Sequence, residues 1–176
     1  MTRFNIKSFI GDEELHDIIE LDKQNFSGEN FTSFEICKEW IDVNPFICTC
    51  AYDRDKLGGY IAFMPITKEC YLRHINGEMK DCEIRGEDVL PFVKGAEHYC
   101  LIVSLVVAKE YRDGDLLVSL LNSFYKRVKD YERNGVKIKT VIADCVNPRV
   151  EEFAKNSGFK CVIKNKHCKI YEGNIV

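Results

Sequence analysis

The residues best placed to do chemistry lie in a short loop, YRDGDLL at 111–117, between an apolar run and a long amphipathic pattern. The amphipathic pattern predicts a helix that begins in this loop, and the first amides of a helix have no acceptor within the helix. Together with the partial positive charge of the helix dipole, these amides form an anion site that needs no cationic side chain. The residues predicted to form this site are Arg112, Asp113, Gly114, Asp115, Leu116 and Leu117.

Two carboxylates in this loop, Asp113 and Asp115, oppose an anion. At ~6 Å, a carboxylate repels a phosphate charge by about 0.7 kcal/mol in water-like surroundings and by roughly 3 kcal/mol at an effective dielectric of 20. An aspartate that points outward or caps the helix leaves anion binding weakened but intact. An aspartate that turns inward closes the loop to the ligand.

The nine cysteines are scattered and form no C-x-x-C pair, which is typical of buried reduced thiols. Cys48, Cys50 and Cys168 with a histidine are the best candidates for zinc, but their spacing is not that of a zinc site, and we expect no metal. His74 and His167 form no pattern with Ser or Cys that indicates a nucleophilic triad.

Hydrophobic periodicity predicts the elements that would position the loop. Residues 3–10 alternate as a half-buried strand does, and a helix follows from Asp12. A second helix is predicted from about Ser33 to Asn44, which precedes a proline. The first helix places one stripe of residues on one face: Leu15, Ile18, Ile19, Asp22 and Phe26.

A hairpin is predicted next, with strands around 46–54 and 57–67 and a turn at Asp55-Lys56. Gly58 and Gly59 indicate a bulge or a close backbone approach in its second strand. Residues 68–95 have no clear periodicity, and we interpret them as an inserted segment that could cover a site.

The second half of the chain is more strongly patterned. The run HYCLIVSLVVA predicts a central strand buried on both faces, and Leu116 to Tyr131 predict a long helix. VKIKTVIADC predicts a strand, NPRVEEFAKNS a helix with Pro148 in its first turn, and FKCVIKNKHCKIY two strands joined by a turn at 164–166. This order indicates an α/β fold with a mixed sheet and a site where the central strand ends.

Composition restricts the function. A chain of 176 residues with 45% hydrophobic and 30% charged residues is typical of one soluble domain, here 1–176 with the segment 68–95 inserted. The net charge of −3 leaves no electrostatic footprint for nucleic acid. No apolar stretch approaches the length of a membrane span, and the N-terminus does not resemble a signal peptide, so we expect a cytoplasmic protein.

Two stretches carry a resemblance to a known family. SLVVAKEYRDGDLLVSLL resembles the strand, R/Q-x-x-G-x-G/A loop and helix of the GCN5-related N-acetyltransferases, and NPRVEEFAKNSGF, from Asn147 to Phe159, resembles their next helix. The chain departs from the family at Asp115 and Leu117, where glycine or a small residue is usual, and at Ala154, where many members have a tyrosine acid.

This resemblance implies a mixed central sheet of about six or seven strands flanked by about four helices, with the insertion between the third and fourth strands. It also implies acetyl-CoA as co-substrate, with its pyrophosphate on the loop amides and its pantetheine arm along the backbone of Leu105, Val106 and Val107. Asn147, which opens the following helix, completes the implied binding residues.

An amine nucleophile needs a general base near the mouth of the central strand. The candidates are Glu97 and His98 at the start of that strand and Glu83 in the inserted segment. Tyr111 and Tyr171 are the alternatives for the missing acid.

The first hypothesis is transfer of acetyl from acetyl-CoA to a primary amine, of a small molecule or a peptide, by direct attack in a ternary complex. The alternative is a catalytically silent domain that binds CoA or a partner in a regulatory role. A nucleotide-binding module is disfavoured because the chain lacks a G-x-x-x-x-G-K-S/T loop. A homodimer is left open.

Overall fold

The computed structural model of the protein describes residues 3–112, 114–164 and 169–175. Seven strands form one sheet in the order β1-β2-β3-β4-β5-β7-β6. β4 and β5 are parallel and the other neighbours are antiparallel, so the predicted mixed sheet is confirmed. The strands are β1 Asn5–Lys7, β2 Cys48–Asp53, β3 Lys56–Ile66, β4 Glu97–Val107, β5 Lys137–Asp144, β6 Lys160–Lys164 and β7 Lys169–Gly173.

Five α-helices lie in the described part of the chain: α1 Asp12–Lys23, α2 Phe34–Val43, α3 Lys68–Ile75, α4 Asp115–Arg133 and α5 Pro148–Asn156. The side chains of Ser33, Thr67 and Asn147 cap three of them by accepting a backbone N–H. The N-cap of α1 is Gly11 and not the predicted Asp12, which is the first residue of the helix. The helix beyond the predicted four is α3, which lies in the inserted segment.

The helices cover both faces of the sheet. α1 and α2 bury Leu15, Ile18 and Trp40 in a core on one face, and α4 buries Leu120 and Phe124 in a core on the other. This two-sided arrangement is the α/β architecture that the order of predicted elements indicated.

The inserted segment between β3 and β4 is an ordered wall. It contains α3, a 3₁₀ turn at Asp81–Glu83 and another at Gly86–Asp88. Its Val89 pairs with Ile66 at the end of β3, and the Trp40 indole N–H donates to the Ile84 carbonyl at 3.2 Å. These contacts fix the segment against β3 and α2.

The described helices include none with the length and hydropathy that a membrane span requires. The compartment and the oligomeric state stay predictions.

Candidate functional site

A gap in the sheet is the main feature of the site. β4 pairs with β5 from Glu97–Lys137 as far as Ile102–Ala143, and beyond that register no described residue of β5 pairs with β4. β4 nevertheless continues to Val107 and stays paired with β3. The edge of β4 from residue 103 to 107 therefore carries backbone donors and acceptors that face an opening.

Because of this opening, the burial of β4 differs from the burial that its sequence predicts. A strand in the middle of a seven-stranded sheet should be buried on both faces, but residues 102–105 of β4 are all partly exposed. The prediction of complete burial is wrong here, because the neighbouring strand is missing at this level. Leu105 and Val106, predicted ligand-binding residues, lie along this edge.

α4 begins directly beside this edge. Gly114 is its N-cap and makes no side-chain hydrogen bond, so the first turn at Asp115–Leu117 presents its amides uncapped by a side chain. The side chain of Asp115 is exposed, and Asp113 lies outside the described residues. Anion binding at this helix start stays a prediction, and one of the two carboxylates that oppose it, Asp115, is directed to solvent.

Two glycines of β3 set the position of this helix start. A Cβ on Gly58 would lie 2.3 Å from Cδ1 of Leu116, which is buried, and a Cβ on Gly59 would lie 2.7 Å from the Val106 carbonyl oxygen. The β2–β3 register also shifts at Gly58. The predicted bulge and close backbone approach are both confirmed, and they allow α4 to start against the sheet.

Arg112 links the loop to α1. Its Nε donates to the Val107 carbonyl at 3.2 Å and its guanidinium donates to Asn25 Oδ1 at 2.8 Å. The Val107 carbonyl is therefore occupied, and the free edge of β4 loses one acceptor. Arg112 lies close to the start of α4 but is held by neutral oxygens that an anion could replace.

A cavity of about 130 Å³, here called the Asp22 cavity, lies against the gap on the α1–α2 face of the sheet. Its walls come from α1, α2, β3, the free part of β4, the 3₁₀ turn at 81–83 and the residues that follow β5. Most of its lining is apolar, and Val103, Ser104 and Leu105 bring the edge of β4 into it.

Asp22 is the chemically distinctive side chain in this cavity. It is 6% exposed, and Oδ1 accepts a hydrogen bond from the Tyr60 hydroxyl at 2.6 Å. Burial raises the pKa of Asp22 to about 6, although the Tyr60 bond opposes the shift. No cationic side chain contributes to this pKa, so among the described residues Asp22 is a buried carboxylate without a counter-ion.

Tyr60 connects Asp22 to the gap. It pairs with Val106 across the β3–β4 ladder, and the Ser104 hydroxyl also hydrogen-bonds to its phenol. Burial and the neighbouring carboxylate raise the pKa of Tyr60 well above its usual value, so the phenol stays protonated. A buried carboxylate that costs stability and faces a cleft is a typical feature of a functional site.

Two further aspartates line the Asp22 cavity, and each has its own partner. His74 Nε2 lies 3.2 Å from Asp81 Oδ1, and although burial opposes the charge on His74, the bonds to Asp81 and Cys70 raise its pKa to about 10. Asp144 Oδ1 accepts the Lys169 backbone N–H at 3.0 Å, and burial raises the pKa of Asp144. His74 is thus a structural cation that holds the inserted segment.

A second cavity of about 50 Å³, here called the Ala154 cavity, lies on the other face between α4 and α5. Its lining is almost entirely apolar, and Ala154, Phe124 and Cys145 contribute to it. Leu105 and Val150 line both cavities, so the two meet at the gap. Ala154 supplies no acid, and its small side chain leaves this space open.

Asn147 caps α5, since its Oδ1 accepts the Val150 N–H at 3.1 Å. It also lines the Asp22 cavity, on the side of the gap opposite β4. The structure therefore places Asn147 across the gap from Val103–Leu105 and the start of α4 beside Val107, farther along the same edge of β4.

The predicted bases lie elsewhere. Glu97 and His98 are at the first end of β4, about 23 Å along an extended strand from Ser104, given ~3.3 Å per residue. Glu97 is exposed beside Lys139, while His98 is buried with Nε2 3.1 Å from the Val93 amide. Glu83 is exposed and its Oε2 accepts the Lys80 backbone N–H at 2.8 Å. None of the three lines either cavity, so none is retained as a base.

The two alternative acids are also remote. The Tyr171 hydroxyl donates to Glu151 at 3.1 Å and the Tyr111 hydroxyl donates to Asp53 at 3.3 Å. Neither lines a cavity, and both act as structural phenols.

The cysteines form no metal site in the described part of the chain, where no group of three or more His, Cys, Asp or Glu could hold an ion. Burial raises the pKa of Cys48 and of Cys50 above the usual value, as expected for small apolar side chains. Cys168 and His167 lie outside the described residues.

Asp22 and Tyr60 are the site residues that the sequence did not identify. The signal for Asp22 was present, because a charged residue occupies the apolar stripe of α1 between Ile18 and Phe26. Tyr60 gives no such signal, since it lies in an apolar strand 38 residues away from Asp22.

No protein-family model matches the chain, and no curated protein matches its sequence. Solved structures do match its fold over nearly the whole length. The loading GNATL domain of CurA from Lyngbya majuscula superposes with a TM-score of 0.67 at 15% identity, covering 99% of this chain and 98% of that one.

Two Arabidopsis thaliana proteins also have a similar fold. NAA60 in complex with acetyl-CoA gives a TM-score of 0.63 at 16% identity, covering 96% of both chains. Naa50 in complex with the bisubstrate analogue CoA-Ac-MVNAL gives 0.61 at 16% identity, covering 98% of this chain and 99% of that one. At these identities the likeness concerns the fold, and the chain has the fold of the GCN5-related N-acetyltransferases, as its sequence predicted.

Proposed function

We propose that the protein is an N-acetyltransferase that moves the acetyl group of acetyl-CoA directly to a primary amine bound in the Asp22 cavity. The observation that carries this proposal is the position of Asp22, a buried carboxylate without a cationic partner, next to the gap in the sheet. Support also comes from solved structures of the same fold that contain acetyl-CoA or CoA.

The chain offers separate places for the diphosphate and the pantetheine arm of acetyl-CoA. The uncapped amides at the start of α4 suit the diphosphate, and the free edge of β4 suits the amides of the pantetheine arm. Strand amides alternate between the two edges, so an amide of β4 at the level of Val103 or Leu105, which both line the Asp22 cavity, would polarise the thioester carbonyl.

Asp22 would attract the amine as an ammonium ion and accept one of its protons. A base is most effective when its pKa lies near the working pH, and the pKa of about 6 fits this role. Tyr60 holds the carboxylate in place by its hydrogen bond at 2.6 Å. The amine nitrogen then bonds to the carbonyl carbon as the carbon–sulfur bond breaks. The nitrogen gives up its second proton to water, which leaves the neutral amide and the CoA thiolate.

The thiolate needs no dedicated acid from this chain. A thiol has a pKa near 8.5, so water protonates its thiolate readily at neutral pH. Ala154 in place of a tyrosine is compatible with transfer for this reason.

The experiment is calorimetric titration with acetyl-CoA, followed by chromatographic detection of acetylated product over a panel of amines. Chromatography is preferable to a thiol reagent because Cys161 is free and exposed. Asp22→Asn should bind acetyl-CoA as the natural protein does and lose at least about 100-fold in turnover, the usual contribution of a general base.

Asp17→Asn is the matched control. Asp17 lies on the same helix and also accepts a tyrosine hydroxyl, that of Tyr52 at 3.0 Å, but it does not line the cavity. This variant should keep both binding and turnover. Tight binding of acetyl-CoA without acetylation of any amine would overturn the proposal.

A further inference from the structure

The Asp22 cavity is closed on one side by the inserted segment. Trp40 of α2 holds the Ile84 carbonyl, and the Asn44 side-chain amide donates to the Leu90 carbonyl at 3.0 Å. The Leu90 N–H donates in turn to the Pro65 carbonyl at 2.9 Å, and Ile84 is fully buried. These contacts anchor the segment to α2 and β3 as part of the cavity wall.

The wall continues over the cavity. The 3₁₀ turn at Asp81–Glu83 contacts the 3₁₀ turn at Gly28–Asn30, which connects α1 to α2. Asp81 and Cys82 line the cavity from one side of this contact, and Asn30 and Thr32 line it from the other. These residues bound the cavity at this contact, so the contact leaves less room there for a polypeptide that follows an amine held at Asp22.

Among the described residues, one carboxylate of the cavity has no cation acting on it. Asp81 is paired with the His74 cation. Asp144 accepts the Lys169 backbone N–H, and the charges of His74 and Lys80 oppose the rise in its pKa that burial causes. Asp22, in contrast, has the Tyr60 hydroxyl and no cation. The arrangement is complementary to a ligand with a single ammonium group.

The size and polarity of the remaining space restrict the rest of the ligand. An apolar cavity of about 150 Å³ holds benzene, and the Asp22 cavity measures about 130 Å³. Leu15, Ile18, Phe26 and Trp40 supply apolar walls around the carboxylate. Such walls favour a compact hydrocarbon body and penalise a second charge or a peptide group that finds no hydrogen-bond partner.

We infer that the acyl acceptor is a small primary amine with one ammonium group and an apolar body of about four to eight carbon atoms, and not the N-terminus of a polypeptide. This inference rests on the proposed function of the Asp22 cavity. It adds that the inserted segment determines the class of acceptor by closing the space that a peptide would occupy.

The test uses two matched pairs of acceptors with the full chain and acetyl-CoA, with product measured chromatographically. Pentylamine and cadaverine differ by a second ammonium group, and phenethylamine and Phe-Ala-Ala amide differ by the peptide. We expect kcat/KM to be at least about ten-fold higher for pentylamine than for cadaverine, and about 100-fold higher for phenethylamine than for the peptide. A peptide that reacts as well as phenethylamine overturns the inference.

Binding separates this inference from the proposed function. Calorimetric titration of the CoA-loaded protein with phenethylamine should give saturable binding whether or not transfer occurs. If phenethylamine binds but no amine is acetylated, the proposed function fails and the assignment of the cavity stands. If no amine binds, the inference fails.

Variants then place the amine in the cavity. Ala62→Leu fills the cavity from β3, and Thr32→Phe adds bulk at the connection before α2, where folding tolerates it more easily. Each should weaken phenethylamine binding at least about ten-fold while the affinity for CoA is retained. Val162→Phe, on an exposed position of β6 outside both cavities, is the control and should change neither. Unchanged amine binding in the Thr32 variant overturns the inference.

Discussion

Replacing Asp22 with asparagine should make the protein more stable and less active. The pKa of Asp22 is raised from 3.8 to about 6, so the folded protein binds a proton at this site more tightly than the unfolded chain does. Between these two values, stability contributed by the site falls as pH rises, because the folded state resists ionisation. Asparagine has no ionisation to resist, and its side-chain oxygen can still accept the Tyr60 hydroxyl.

The size of the stability gain follows from the raised pKa of Asp22. A difference of about 2.2 pKa units, at about 1.36 kcal/mol per unit, gives an upper bound of about 3 kcal/mol for the gain of Asp22→Asn at pH 8. At pH 5 the folded carboxyl is mostly protonated, and the same linkage gives about 1.6 kcal/mol. For a chain of this length, about 3 kcal/mol corresponds to a rise of roughly 6–12 °C in Tm.

Urea unfolding of both proteins at pH 5 and pH 8 measures this difference. Asp17→Asn is again the control, and it should change stability little and equally at both values, because that carboxylate is partly exposed. In the natural protein kcat/KM should rise with pH and level off above an apparent pKa of about 6. Equal or lower stability of Asp22→Asn at pH 8, or a gain that does not depend on pH, would refute the reasoning.

Three further changes test the surrounding architecture. Gly59→Ala should lower the free energy of unfolding by about 1–3 kcal/mol and weaken acetyl-CoA binding in calorimetry, because the added Cβ would lie 2.7 Å from a backbone oxygen of β4. Gly114→Ala is the control and should be tolerated, since the nearest atom to its added Cβ is 3.8 Å away. Asp115→Asn should tighten acetyl-CoA binding about three-fold, because it removes an exposed carboxylate that repels the diphosphate by about 0.7 kcal/mol. This gain in affinity should shrink in high salt. Asp81→Asn should lower the free energy of unfolding by about 3 kcal/mol at pH 6, where His74 is charged. This loss of stability should shrink as pH rises through the folded pKa of His74, about 10. A loss that does not vary with pH would contradict the assignment of His74 as a cation paired with Asp81.

The fold could be predicted because its strongest elements repeat one pattern over many residues. The apolar face of α4 and the unbroken apolar run of β4 each point to one structure, and the loop between them has few ways to connect a strand to a helix. The segment 68–95 could not be predicted in the same way, because its order comes from contacts with distant residues such as Trp40 and Pro65.

The proposed anion-binding loop was accessible to sequence reasoning, and the proposed base was not. Amides at a helix start need no particular side chain, so the position of the helix is enough to predict them. The proposed base, Asp22, is distinguished by its burial and by having no cation near it among the described residues, and neither property can be read along the chain. Glu97 and His98 looked suitable because the sequence does not reveal at which end β4 loses its neighbour.

The guanidinium of Arg112 reaches across from the start of α4 to Asn25, whose backbone N–H donates to the Asp22 carbonyl at 2.9 Å. A diphosphate bound beside Arg112 would compete with Asn25 for that guanidinium. Its binding would therefore also affect the last turn of α1, which carries Asp22. Because coupling of this kind is reciprocal, the proposed reaction predicts that occupancy of either position changes the affinity of the other.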